Sequence, residues 1–226
     1  MQAAPSTPSS TNGPAAQVHD WTPRIAVVLN RFVHTVAKHW LLMVNTAVGL
    51  YAGLTVLAPT LMVTGHPWAA RLIYTLFRLA CHQLPERSFF LFGPRLAYTL
   101  DQLERIAGPN VPPGYLGSPT LGYKMAICQR DTAILLAVLV AGVAFALLRH
   151  RLRPLSMRAF LLSCVPIAVD GFGQLLGLWE STWWSRVATG ALFGVACVWL
   201  AYPLIEMGMN DVLQIAEKGR SQKERH

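Results

Sequence analysis

The residues of this chain that can do chemistry fall in four short blocks. ACHQLPERSFF, residues 80–90, sets Cys81 beside His82. CQRDTAI, residues 128–134, holds Cys128, Arg130 and Asp131, and later come Asp170 with Gln174, and Arg186. Cys81, His82, Cys128 and Asp131 would offer a divalent ion two sulfurs, a nitrogen and an oxygen, a mixture that zinc accepts in a tetrahedral shell. Their spacing does not impose that reading. Adjacent Cys and His point apart on a helix, no C-x-x-C or H-x-x-x-H occurs, and His82 and Cys128 lie 46 residues apart. A Cys81–Cys128 disulfide uses the same sulfurs and suits an oxidising compartment. Packed free thiols are the third reading, and the sequence leaves all three open.

The charged members sit where charge is expensive. Arg130, Asp131, Asp170 and Arg186 fall in or at the ends of long apolar runs. Ionisable groups at such positions pair with one another or line a functional cavity. The two arginines and two aspartates can pair, which removes much of the cost of burial. With His82, Arg87 and Gln174, the charged residues Arg130, Asp170 and Arg186 make a candidate ligand pocket. Cys164 and Cys197 lie within apolar runs and read as packing residues.

The surrounding sequence must position these groups. Apolar residues make up 53% of the 226 and charged ones 13%, against roughly 25% charged in a soluble domain. The deficit is concentrated in runs with the length of membrane spans, about 20 residues each. Four are expected, at about 40–63, 125–148, 159–179 and 183–205. Amphipathic interfacial helices are expected at 22–39, and at 67–84, where Arg71, Thr75, Arg78 and His82 form one stripe. The fold expected is therefore all-α: an integral membrane bundle of about four transmembrane helices with interfacial helices, over residues 22–212. Residues 1–21 read as a disordered Pro/Ser/Ala-rich tail and not as a signal peptide, and 213–226 as a basic tail. Thr99 and Gln102 are spaced as a capping box for a short helix in the long segment between the first two spans.

The net charge of +8 comes from basic residues at the ends of apolar runs, where positive charge orients helices. No zinc-finger spacing, RNA-recognition signature or basic arm is present, so the expected partner is the lipid bilayer and not nucleic acid. A homo-oligomer or larger membrane complex is compatible with so small a bundle. Eleven of the nineteen Lys and Arg lie before the first span, between the second and third, or after the fourth. That bias predicts a multi-pass cell-membrane protein with both termini cytoplasmic and the pocket in the outer half of the bundle.

CHQLPERSFF, CQRDTAI and PIAVDGFGQLLGLWESTWWSRVATGALFG resemble the bacterial and archaeal membrane proteins grouped as domain of unknown function 2085. The matching residues are Cys81, His82, Gln83, Arg87 and Ser88; Cys128, Arg130 and Asp131; Asp170, Gly171 and Gln174; and Ser181, Arg186, Thr189 and Gly190. Many relatives resemble one another in having Cys where this chain has Asp131. The resemblance implies a multi-span fold and a shared site, and brings no activity with it. Two functional classes follow: a pocket binding a small ligand or metal, as in an enzyme or carrier, or a non-catalytic subunit whose buried Cys/Arg/Asp set is structural.

Overall fold

A computed structural model describes residues 21–149 and 151–223. The expected N-terminal tail lies outside these apart from Trp21, and so do residues 224–226 of the expected basic tail. The described elements, in order, are α1 (Trp21–Val63), α2 (Pro67–Phe77), β1 (Ser88–Leu91), α3 (Leu100–Ala107), β2 (Gly117–Ser118), β3 (Gly122–Cys128), α4 (Gln129–Leu148), α5 (Met157–Leu175) and α6 (Trp183–Lys223).

The helical membrane bundle expected from the apolar runs is present, and its boundaries differ instructively. The 22–39 and 40–63 segments form one helix, α1. No Gly or Pro separates Lys38 from Leu42, so nothing stops the backbone hydrogen-bond ladder there. Likewise α6 continues past residue 213 to Lys223. Residues 125–128, taken into the second span, belong instead to the strand β3. It pairs antiparallel with β1 on one side and β2 on the other. A short apolar run cannot declare itself strand or helix by periodicity alone. The turn at Gly122, with φ +82°, opens the strand, and the capping of α4 by Cys128 separates it from the helix.

Contacts along the helices fix their directions. Gly190 of α6 lies against the Arg130 carbonyl of α4, and Gly194 against that of Ile134. Further along, Tyr202 packs on Phe145 and Glu206 pairs with Arg149, so α4 and α6 run parallel. Trp40 donates from Nε1 to Glu206 at 2.9 Å, and Asn45 faces Gly142, so α1 runs against both. Phe160 meets Phe193 and Asp170 meets Ser185, so α5 runs against α6 as well. Among the described residues, α1, α4 and α6 are long and apolar enough to cross a membrane. α5 carries Arg158, Pro166 and Asp170 in 19 residues and is less apolar. Its length of about 28 Å still matches the roughly 30 Å hydrocarbon core.

Pro203 lies inside α6 and has no N–H to offer the Trp199 carbonyl one turn earlier. That carbonyl accepts instead from Leu155 N–H in the α4–α5 connection, at 3.2 Å. Trp199 Nε1 donates to the Arg153 carbonyl of the same connection at 3.1 Å.

At the opposite end, residues 64–128 form a cap over the bundle. Ala58 of α1, Ala70, Tyr74 and Phe77 of α2, and Ala126 and Ile127 of β3 pack into one buried cluster. α2 ends at Phe77, residues 78–80 follow as turns, and the chain then enters the left-handed region at Gln83, φ +54°. Gln83 is buried, and its Nε2 donates at 2.8 Å to the Tyr74 carbonyl, which also accepts from Arg78 N–H at 3.1 Å. The expected helix through Leu84 is therefore shorter, and His82 falls off the stripe of Arg71, Thr75 and Arg78. α3 has the capping box expected of Thr99 and Gln102.

Candidate functional site

Three polar groupings meet where the cap joins the bundle, and the first turn of α4 takes part in all of them. Arg130 from that turn donates through Nη2 to Asp170 Oδ2 of α5. The other oxygen of Asp170 accepts from Ser181 at 2.8 Å and from Ser185 at 2.9 Å. Asp170 is 8% exposed, so a buried carboxylate here has a guanidinium and two hydroxyls around it. Two of the buried charges singled out in the sequence are thus partners.

The second grouping is a cleft of about 380 Å³ between α3, the segment after α2, and the start of α6. Arg87, Arg95, Gln129, Gln174, Ser181 and Arg186 supply polar groups to its wall. Arg186 is only 7% exposed. Its Nη1 donates to Gln129 Oε1 at 3.0 Å, while its Nε has no hydrogen-bond partner. Among the described residues Arg186 makes no ion pair. Gln129 in turn donates to the Ser88 carbonyl of β1 at 3.1 Å, which ties the cleft wall to the sheet.

The third grouping brings Cys81, Cys128 and Asp131 together, with their sulfur and carboxylate atoms all within 4.8 Å of one another. Register explains part of this: β1 pairs with β3 so that Ser88 lies opposite Cys128, and Cys81 is joined to β1 by residues 82–84 and one turn of 3-10 helix, Pro85–Arg87. Cys128 is also the N-cap of α4, its sulfur accepting from Asp131 N–H at 3.5 Å. Both thiols are free. The Cys128 thiol hydrogen-bonds to Cys81, holding Cys81 at about 7, below the usual thiol range, and pushing Cys128 up.

His82 is exposed and belongs to none of the three groupings. Sequence reasoning gave no part to Gln129, Ser185, Arg95 or Lys124. Lys124 is fully buried, its Nζ donating to the carbonyl oxygens of Gln83 and Pro113, and burial pushes it down to about 8. A lysine inside the apolar run GYKMAIC was the available signal.

Residues 120–200 match the family described as Predicted membrane protein (DUF2085), and the resemblance read from the sequence is shown over that stretch. It takes in β3, α4, α5 and the first half of α6, and leaves Cys81, His82 and Arg87 outside. The chain is also 28% identical over 134 residues to an uncharacterised protein of Methanocaldococcus jannaschii, covering 58% of this chain and 67% of that protein. No solved structure matches. The chain is a membrane protein of the α-helical bundle kind.

Proposed function

We propose that the cleft beneath the cap binds the anionic headgroup of an amphiphilic molecule. The observation that carries this is Arg186: a buried guanidinium on the cleft wall with an unpartnered Nε and no carboxylate. A buried cation without a counter-charge is expensive, and an arriving phosphate or carboxylate offsets that cost with charge-assisted hydrogen bonds. The first turn of α6, Trp183 to Arg186, opens into the same cleft and presents the positive end of a helix. Arg87 and Arg95 add positive charge. Glu86 and Glu180 stand in the wall too, but Glu86 lies 4.0 Å from the half-exposed Arg87 and neutralises the rim, not Arg186.

The cap faces outward in this reading and both termini are cytoplasmic, supported by the basic residues gathered at the other end of the bundle. Native mass spectrometry of the detergent-purified protein, with phosphatidylglycerol against phosphatidylcholine, tests the ligand class. Preferential retention of the anionic lipid, lost in Arg186→Gln and partly kept in Arg186→Lys, is expected. Equal retention of both lipids by the wild type would sink the proposal. A scaffold role is the second reading, and the Arg130–Asp170–Ser181–Ser185 set favours it, since the two charges there are paired with each other within the bundle and only Arg130 Nε is left without a hydrogen-bond partner.

A further inference from the structure

We propose that Cys81, Cys128 and Asp131 form a binding site for one zinc-like divalent ion at the joint between the cap and α4. Their donor atoms lie within 4.8 Å of one another. In a tetrahedral shell with metal–sulfur bonds of about 2.3 Å and metal–oxygen bonds of about 2.0–2.2 Å, ligand atoms stand roughly 3.5–3.8 Å apart. The present arrangement needs to tighten by about 1.3 Å at most to match that spacing. Two sulfurs and one oxygen suit a borderline ion such as zinc, and not a hard one such as magnesium.

The carboxylate separates this reading from a simple thiol pair. Asp131 is half-buried, and among the described residues its carboxylate has neither an ion pair nor a hydrogen bond. A Cys81–Cys128 bridge would leave it as bare as before. A cation bound by the two sulfurs gives it a partner. The nearest buried ammonium, Lys124, is already committed to the carbonyls of Gln83 and Pro113. Backbone N–H groups support the sulfurs, as outer partners do around metal ligands: Asp131 N–H donates to Cys128, and the N–H groups of Gln83 and Cys128 donate to Cys81.

Three protein ligands leave the fourth position of a tetrahedral ion open. Asp131 lines a second cleft, of about 260 Å³, together with Tyr51, Ala80, Ile127, Ile134 and Leu135. That cleft lets water or a small donor reach the open position. The site is separate from the arginine cleft, so neither proposal depends on the other.

Purified protein, stripped by a chelator under reducing conditions and titrated with zinc and cobalt(II), tests this. The expected results are one ion per chain and a thiolate-to-cobalt charge-transfer absorption. Asp131→Asn and Cys128→Ser should weaken binding by at least the 10–100-fold or so that losing an outer partner costs. Cys164→Ser and Cys197→Ser should leave it unchanged. Asp131→Cys, which adds a third thiolate without removing either sulfur, should tighten binding and strengthen the absorption; it covers the case in which Cys128→Ser fails to fold. Absence of metal and of the absorption from reduced, folded wild type would overturn the proposal, as would an Asp131→Cys protein that binds no better. A non-reduced mass two hydrogens light, restored by reduction and lost in Cys128→Ser, would assign the pair to a disulfide instead.

Discussion

Arg130 on α4 and Asp170 on α5 are ion-paired at the capped end of the bundle, and Ser181 and Ser185 donate to the same carboxylate. One aspartate therefore holds together α4, α5 and the start of α6. Asp170→Asn leaves Arg130 uncompensated, and removing one member of a buried pair costs about 3–5 kcal/mol. The variant should melt well below wild type in detergent and accumulate to lower levels. An unchanged melting temperature would show that the pair carries little of the stability.

Packing of α6 on α4 makes a second prediction. A Cβ on Gly194 would lie 2.7 Å from the Ile134 carbonyl oxygen and 2.9 Å from the Ala137 Cβ. Backbone cannot yield as a flexible side chain can, so Gly194→Val should cost about 1–3 kcal/mol, the usual range for overpacking. At Gly53 of α1 nothing lies within 4 Å. Gly53→Ala should be neutral or raise stability by up to about 1 kcal/mol through helix propensity. Thermal melts of the two variants side by side check the contrast.

Lys124 makes stability depend on pH. An unfolded lysine titrates near 10.4, and burial lowers this one to about 8. Between those values the unfolded chain holds more protons than the folded one, so stability rises with pH. The penalty for burying the charged form is complete below about 8 and gone above about 10.4. Melting curves at about pH 7.5, 9 and 10.5, which bracket that window, should show the rise in wild type. Lys124→Met should lose that increment while other groups titrate as before. Parallel pH profiles would mean that Lys124 stays charged in the fold.

Side of the membrane can be read with single cysteines. With the native thiols blocked, Ser156→Cys at the N-terminus of α5 should resist an impermeant maleimide on intact cells. Arg105→Cys on the exposed face of α3 should react. Labelling in the opposite sense would place the cap in the cytoplasm.

The bundle was legible because its apolar runs have the length that a bilayer demands. The sheet was not, because YKMAIC runs directly into QRDTAILL with no break in apolar character. His82 was misplaced by extending a helical stripe past Phe77, where α2 ends with no proline or glycine to announce it. The disulfide and metal readings both expected Cys81 and Cys128 to be neighbours, and they are. The β1–β3 register that brings them together is long-range, and neither local propensity nor spacing encodes it. The partner of Asp170 was among the candidates, since intramembrane charges have few groups to choose from. Ser181 and Ser185 were not assigned to it, because hydroxyls in an interfacial turn are common.

The short connection from α4 to α5 looks like the natural place to insert a tag or open the chain. Its backbone, however, supplies Leu155 N–H to the carbonyl that Pro203 strands in α6. A splice there would do more than lengthen an exposed tether. It would remove a brace from the turn where Pro203 removes a hydrogen bond from α6, and any bend there would be felt at Arg186, about five turns up the same rod at 3.6 residues per turn. Circular permutation or epitope insertion at this connection should therefore disturb the far end of the protein, where a looser hairpin would have left it alone.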